Sequence, residues 1–365
     1  LRKETPKSHK EWEKDLVALE EGITKLRELS RREPDPSKRA NIESQAKEFE
    51  GRRDSYVKLL YSRLGPWERV LVARAEKRPY TLDYIGAIFT GFIELDGDRR
   101  GYRDHAIVGG IAKLDDRPVL IVGHQKGRTI QDRQYRNFGS AKPEGYRKAI
   151  RLFDLAERFR LPVITFVDTS AADPGVDSES RGISEAIAAG MHKMFELTVP
   201  AISIVIGEGG SGGAIGIATS NRVLMLENST YSVIPPEGCA AILWRQPERA
   251  PDAAKALNLT AEAALEFKII DEIIEEPLGG AHRDPMETAN RVRTAILKHL
   301  GDLDELSPEQ IREQRYQKYR DMGVFTSGVA EQLSSNGFSK VAVVQPAAEK
   351  QENERGGEEP AEHTT

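Results

Sequence analysis

The sequence is poor in the features that mark several protein classes. Its 365 residues contain a single cysteine, Cys239, so the chain forms no internal disulfide and builds no cysteine cage for zinc. A lone cysteine of this kind reads as a small buried residue rather than a nucleophile. No apolar run approaches the length of a membrane span, and no secretory signal is expected at the start. A basic excess is also missing. Lys and Arg number 53 against 58 Asp and Glu, for a formal net charge of -5, which gives nucleic acid or an acidic membrane no attractive field. These absences point to a cytoplasmic protein with neither membrane nor nucleic-acid partners.

What remains is a soluble globular balance, 39% hydrophobic and 30% charged, in a chain long enough for one large domain or two ordinary ones. Residues 1–64 read as a helical hairpin arm. Trp12, Leu16, Leu19, Ile23 and Leu26 recur at helical spacing, as do Ile42, Ala46, Phe49, Tyr56 and Leu60. The stretch "EPDPS" with Pro34 and Pro36 breaks the two runs apart. Residues 65–325 have the texture of an α/β domain. "AIVGGIAKL" and "RPVLIVGHQ" flank Asp115-Asp116 as a strand, a tight turn and a strand. A helical pattern, "PEGYRKAIRLFDLAERFR", then runs into the strand "LPVITFVDT", and "ISEAIAAGMHKMFEL" runs into "VPAISIVIGEGG". Residues 326–365, ending in "AAEKQENERGGEEPAEHTT", read as a disordered acidic tail.

Repeated helix-then-strand units imply parallel strands with right-handed crossovers. The strand ends then lie side by side, and ligand sites of parallel sheets form at that edge. Two unusual loops fall there, "DTSAADPG" and "GEGGSGGA". The second satisfies two incompatible patterns. Gly207, Gly209 and Gly212 fit the dinucleotide fingerprint, with Glu227 about 20 residues on as the ribose acid. The helix that would follow, "AIGIATSN", is short and glycine-broken, which argues against a nucleotide. Gly209, Ser211 and Gly213 fit the nucleophile elbow, which needs an acid and a histidine downstream. Only His282 and His299 are available before the tail. The preferred reading is a third one: glycines bring backbone close to a ligand, and their amides at a helix start stabilise developing negative charge as an oxyanion hole.

A series of longer motifs supports a resemblance. "RPYTLDYI", "LDGDR", "AIVGGIAKLDDRPVLIVGHQKGR", "RNFG", "PEGYRKA", "VIGEGGSGGA", "STYSVIPPEGCAAILW" and "EPLGGAHR" follow one another over most of residues 10–320. In this order and spacing the chain resembles the alpha subunits of bacterial acetyl-CoA carboxylase carboxyltransferase. The resemblance implies a crotonase-like (ClpP/crotonase) α/β fold, a spiral of repeated β-β-α units carrying the helical arm. It also implies transfer of a carboxyl group from carboxybiotin to acetyl-CoA, giving malonyl-CoA for fatty acid synthesis. Biotin would arrive on a separate carrier protein and none would be bound covalently. A beta subunit with a zinc ribbon would hold the only zinc, leaving no metal on this chain, in an α2β2 heterotetramer. The resemblance assigns the biotin-side oxyanion hole to the amides of Gly209, Gly210, Gly212 and Gly213, with Ser211, Ala171, Ala172 and Gly175 against the substrate. Lys126 and Arg128 have two open readings, CoA phosphates or solvent, and Glu237 is a further substrate-side candidate. Lys193, in "GMHKMF", reads as an ordinary helix residue and not as a biotinylated lysine.

One loop departs from the family pattern. The family's Asp-Thr-Pro-Gly-Ala-Tyr-Pro-Gly is "DTSAADPG" here, so Ser170, Ala171 and Asp173 replace proline, glycine and tyrosine. An alanine forced to positive φ would cost about 1–2 kcal/mol, and Asp173 would set a negative charge near an anionic intermediate. Three outcomes stay open: a working enzyme with a reshaped pocket, a paralogue with another acyl-CoA acceptor, or a subunit of reduced activity. A hydratase or isomerase of the wider superfamily would instead need catalytic carboxylates beside the glycine loop.

Overall fold

The computed structural model describes residues 6–323; the expected tail at 326–365 lies outside them. The N-terminal segment forms α1 (His9–Trp12), α2 (Lys14–Arg32) and α3 (Pro36–Tyr61). Asp35 ends the break between the long helices by capping α3, its carboxylate accepting from the amides of Ser37 and Lys38 while Pro36 takes the first helical position. In α2 the buried positions are Leu16, Ile23 and Ser30, seven residues apart, and α3 offers Ala46 and Val57. The hairpin is laced by Arg27, which donates to both carboxylate oxygens of Glu50, and by Ser30, which donates to Glu43. Arm and α/β body belong to one unit that runs through Asp321.

The body opens with α4 (Pro66–Ala73) and α5 (Thr81–Ile88). Strands β1 (Thr90–Glu94), β2 (Ile107–Leu114) and β3 (Arg117–His124) form an antiparallel meander, and Asp115 turns the β2–β3 corner with φ of 54°. Next come α6 (Ile130–Tyr135), α7 (Pro143–Phe159), β4 (Val163–Thr169), α8 (Val176–Ser180), α9 (Ile183–Glu196), β5 (Ala201–Gly210) and α10 (Ser211–Ile215). The chain continues through β6 (Arg222–Leu226), β7 (Thr230–Ser232), α11 (Pro236–Trp244), α12 (Ala250–Ala256), α13 (Ala261–Glu266) and β8 (Glu272–Ile274). It closes with α14 (Pro285–Asp304) and α15 (Pro308–Arg320).

From β3 onward the sheet is parallel, in the order β3-β4-β5-β6-β8. Both faces are covered, which is why its strands are apolar throughout. Val163, Val167, Val205 and Met225 face a core shared with Tyr146, Leu152 and Phe153 of α7 and Ala186 and Met194 of α9. Ile164, Phe166, Ile204 and Leu224 face the opposite core, with Tyr84 and Ile85 of α5 and Val292 and Ile296 of α14. The period-two alternation along each strand thus sorts side chains between two helical layers. β5 divides its pairing: Ile202–Val205 pair with β6, and Glu208–Gly210 pair with β7. On its other side β5 stays paired with β4 as far as Gly209, which sets the glycine stretch beside the end of β4.

Candidate functional site

The two loops read from the sequence meet at the C-terminal ends of β4 and β5. Thr169 pairs with Gly209 across the last rung of the β4–β5 ladder. Beyond it the first loop closes on itself, Thr169 Oγ1 donating to the carbonyl of Ala171 at 2.7 Å, and the Asp173 amide donates to the carbonyl of Ala141 at 2.9 Å.

The glycines are required here chiefly because backbone packs on backbone. A methyl group on Gly210 would lie 1.9 Å from the Ser170 carbonyl oxygen, and one on Gly213 would lie 2.6 Å from the Ala172 nitrogen. On Gly207 it would meet the Asp168 carboxylate at 2.3 Å, and on Gly209 the Tyr231 ring at 2.7 Å. Gly212 is the most permissive of the group, its nearest contact being the Ile187 side chain at 3.2 Å. The structure divides the four candidate amides between elements. Gly209 and Gly210 end β5, buried and in register with Tyr231 and Ser232. Gly212 and Gly213 lie in the first turn of α10, where amides have no carbonyl one turn earlier to bond. Ser211 opens that turn with φ of 50°, the left-handed backbone of a sharp strand-to-helix turn.

Beneath the loops lies a row of charges that sequence reading treated piecemeal. Lys126 Nζ is 2.8 Å from Asp168 Oδ1 and 2.8 Å from Glu208 Oε2. Glu208 in turn accepts from Arg74 Nε at 2.8 Å, and Arg74 Nη1 reaches Glu237 at 2.5 Å. Asp168 also accepts the Glu208 amide at 2.9 Å. Lys126 therefore lies neither in solvent nor free for a phosphate: two carboxylates hold its ammonium. Burial alone would raise the Glu208 pKa, but Lys126 and Arg74 overrule it and hold the carboxyl at about 2. Burial would lower that of Lys126, yet Asp168 and Glu208 push it above its ordinary value. A carboxylate so firmly ionised and paired is a poor general acid or base, so Glu208 does not supply the catalytic carboxylate that a hydratase reading needs.

Above this row a cleft of ≈ 290 Å³ opens between Arg74, Tyr80, Lys126, Arg133, Phe138, Ser170 and Glu208. A narrower crevice shares Ser170 and Glu208 with it and runs along Gly209 and Gly210 to Ile234 and Pro235. Arg128 stands apart, stacked 4.7 Å from the Tyr80 ring centroid and paired with Asp83. Glu237 is held by Arg74. Gly175 caps α8, next to Asp173.

The departing loop carries less strain than its sequence suggests. Ala171 is not among the residues with positive φ, so the alanine incurs no left-handed penalty, contrary to the expectation. The Asp173 carboxylate is not bare: Asn137 Nδ2 donates to one oxygen at 3.1 Å and Ser178 Oγ to the other at 2.5 Å.

The rival readings of the glycine loop lose their partners. Among the described residues no histidine hydrogen-bonds Ser211. His282 instead packs edge-on against His9 at 4.7 Å, and burial together with His9 and Arg78 pushes its pKa down to about 3. His299 pairs with Glu272 at 3.1 Å, and Glu227 accepts the Glu276 amide at 3.1 Å. Neither a triad nor a ribose-binding acid is assembled.

A mixed sheet between two helical layers, with a glycine loop at the carboxyl edge of its parallel strands, gives the chain a crotonase-like α/β fold. Solved structures agree on that fold. The chain is similar to transcarboxylase 12S solved with hydrolysed methylmalonyl-coenzyme A bound (TM-score 0.51, 20% identity, 66% of this chain and 45% of that one). It is also similar to a chain of the Pseudomonas malonate decarboxylase hetero-tetramer in complex with coenzyme A (TM-score 0.52, 17% identity, 64% and 91%). The match spans less than half of the transcarboxylase chain.

Sequence comparison narrows the class. The family model for acetyl co-enzyme A carboxylase carboxyltransferase-like proteins matches residues 9–323, and the chain belongs to that family. It is 50% identical over 315 residues to the acetyl-coenzyme A carboxylase carboxyl transferase subunit alpha of Synechococcus elongatus, covering 86% of this chain and 95% of that one. The subunit of the same name from Vibrio parahaemolyticus is 51% identical over 313 residues (86% and 98%), and that from Fusobacterium nucleatum 47% over 315 (86% and 99%). Among the described residues no helix is long and apolar enough to cross a membrane.

Proposed function

We propose that this chain supplies the biotin-side half of a carboxyltransferase site. There a carboxyl group passes from carboxybiotin, borne on a separate carrier protein in the cytoplasm, to acetyl-CoA, giving malonyl-CoA. The observation that carries the reading is the convergence of the 168–175 and 207–213 loops at the carboxyl edge of the sheet, with family membership behind it. The chemistry needs a donor nitrogen to lose carbon dioxide and the acceptor methyl to lose a proton, so negative charge appears on two oxygens in turn. The chain's part is to hold one of them. The first-turn amides of α10, at Ser211, Gly212 and Gly213, are fixed donors that need no reorganisation when charge develops. Gly209 and Gly210 line the crevice beside them. The charged row from Glu237 to Asp168 links the two loops and keeps Glu208 paired with cations.

This half-site implies a second subunit for the acyl-CoA, the zinc-ribbon beta type in an α2β2 assembly. Apolar side chains exposed beside both loops support a covered surface: Val176 at the start of α8, Val233, and Ile242 and Leu243 of α11 are all more than half exposed. Asp173, held by Asn137 and Ser178, and Ala171, free of backbone strain, support a working enzyme over a disabled one. Mixing the purified chain with a beta-type subunit tests the reading. A stable complex that decarboxylates malonyl-CoA only when a biotin derivative is present is expected. A chain that binds no such subunit, or a complex that never uses biotin, would refute it.

A further inference from the structure

The joint between arm and body holds a side-chain cluster that carboxyl transfer leaves unused. His9 opens α1, and Glu13 follows four residues later on the same face. His282 comes to the same point from the turn between β8 and α14. The donor atoms of the three side chains lie within 4.8 Å of one another. His9 Nε2 is 3.5 Å and His282 Nε2 3.9 Å from Glu13 Oε2.

These separations are too long for hydrogen bonds. They are close to the edge of a tetrahedral zinc site, about 3.4 Å for ligands at 2.0–2.1 Å from the ion. Both imidazoles are short of partners. His9 Nε2 and both ring nitrogens of His282 are buried without a hydrogen bond, and the His282 side chain is only 7% exposed. Unpaired buried polar atoms are uncommon and call for a cause.

The surroundings prepare Glu13 in particular. Its Oε1 accepts from the Tyr61 hydroxyl at 2.7 Å and from Arg283 Nη2 at 2.9 Å, which fixes the carboxylate and leaves Oε2 to face the two imidazoles. Charge is also suitable. Arg78 is neutralised by Glu276 and Arg283 is shared with Glu20, so these two cations meet three carboxylates and one negative charge is left for a cation. A cleft of ≈ 900 Å³ lined by His9, Glu13 and His282 reaches the point and gives an ion and its water ligand a way in.

We infer that His9, Glu13 and His282 form a binding site for a divalent transition-metal ion of the zinc type, which staples the N-terminal segment to the α/β body. Two imidazoles and one carboxylate suit zinc, cobalt or nickel and not magnesium or calcium. Three protein ligands leave a fourth position for water. The inference is independent of carboxyl transfer, and no step of that reaction passes through the ion.

The test uses the full chain, stripped of metal with a chelator and dialysed. Cobalt(II) at one equivalent is expected to give the visible absorption bands of a tetrahedral N/O site, and zinc is expected to displace it and raise the melting temperature. His9→Gln and His282→Asn should each weaken cobalt binding by more than about tenfold, since even outer-sphere partners are worth 10–100-fold. Far-UV circular dichroism confirms that each variant is folded. Should His282→Asn fail to fold, His9→Gln at the edge of the arm carries the test alone. No cobalt spectrum and no thermal shift in the unaltered chain would overturn the inference, as would unchanged cobalt affinity in the folded variants.

Discussion

At Ser211 the backbone adopts φ of 50°, so the position rewards glycine and the hydroxyl has no histidine to activate it. Ser211→Gly is therefore expected to leave carboxyl transfer within a few-fold of the parent, measured in the assembled enzyme. Gly213→Ala should behave differently, because its methyl would lie 2.6 Å from the Ala172 nitrogen and force the loops apart. A loss of about a hundredfold is expected, the scale of losing one oxyanion donor. Gly212→Ala meets only the Ile187 side chain, at 3.2 Å and beyond, and should cost less than Gly213→Ala. Ala171→Gly should not raise stability, since no left-handed strain is relieved. A loss of about 0.4–1 kcal/mol in denaturant unfolding is expected instead. The sequence made the glycines visible as a cluster but could not show what they avoid. Gly210 needs its hydrogen because the Ser170 carbonyl comes against it, and that approach exists only once β4 and β5 are paired. The same limit explains Ala171: the identity of the residue was plain, and its φ was not.

The elements themselves were the most legible part. Branched apolar runs such as "LPVITFVDT" mark strands covered on both faces, and the Asp115-Asp116 turn and the break at Pro34–Pro36 are local events. The charged row under the site was illegible because its members are far apart in the chain, Lys126 and Glu208 being separated by 82 residues. It should matter to stability. Lys126→Met would leave Asp168 and Glu208 facing each other without their shared cation, and a loss on the order of 3–5 kcal/mol is expected by urea unfolding. The pH dependence has a definite sign. Glu208 titrates at about 2 in the fold against 4.5 ordinarily, so its contribution is complete above pH 4.5 and fades as pH falls toward 2. His124, buried beside Lys126, is pushed from 6.5 down to about 3. It resists protonation in the fold, so stability is full above pH 6.5 and declines toward pH 3. Unfolding midpoints should fall from pH 7 to pH 4 through His124 and fall further from pH 4.5 toward pH 2 as Glu208 also protonates. A rise in the first window would contradict the His124 assignment and a rise in the second the Glu208 assignment. At the far end of the chain, Arg315 of α15 is fully buried and donates to the carbonyls of Met194, Leu197 and Val199 and to Asn221. It closes the end of α9, and Arg315→Met is expected to destabilise the fold by about 3 kcal/mol.

Across the whole molecule, each of these parts serves one arrangement. The doubly covered sheet is a rigid platform, the β4–β5 ladder carries the glycine end of β5 alongside the end of β4, and the charged row links the two loops. The arm is tied to the body through Glu13, Tyr61 and Arg283, a connection with no signature in the helical pattern of either segment. Only the resemblance to a family pointed beyond the chain itself, to a partner subunit and a carrier protein, since a half-site by itself has no local motif for what completes it. The central claim is that fixed backbone amides of the glycine loop, and no side chain on it, serve the reaction. The most direct measurement compares biotin-dependent malonyl-CoA decarboxylation by the complex carrying Ser211→Gly with that carrying Gly213→Ala, both shown to be assembled. The account predicts near-parental rates for the first and about a hundredfold loss for the second. An inactive Ser211→Gly complex beside a fully active Gly213→Ala complex would contradict it.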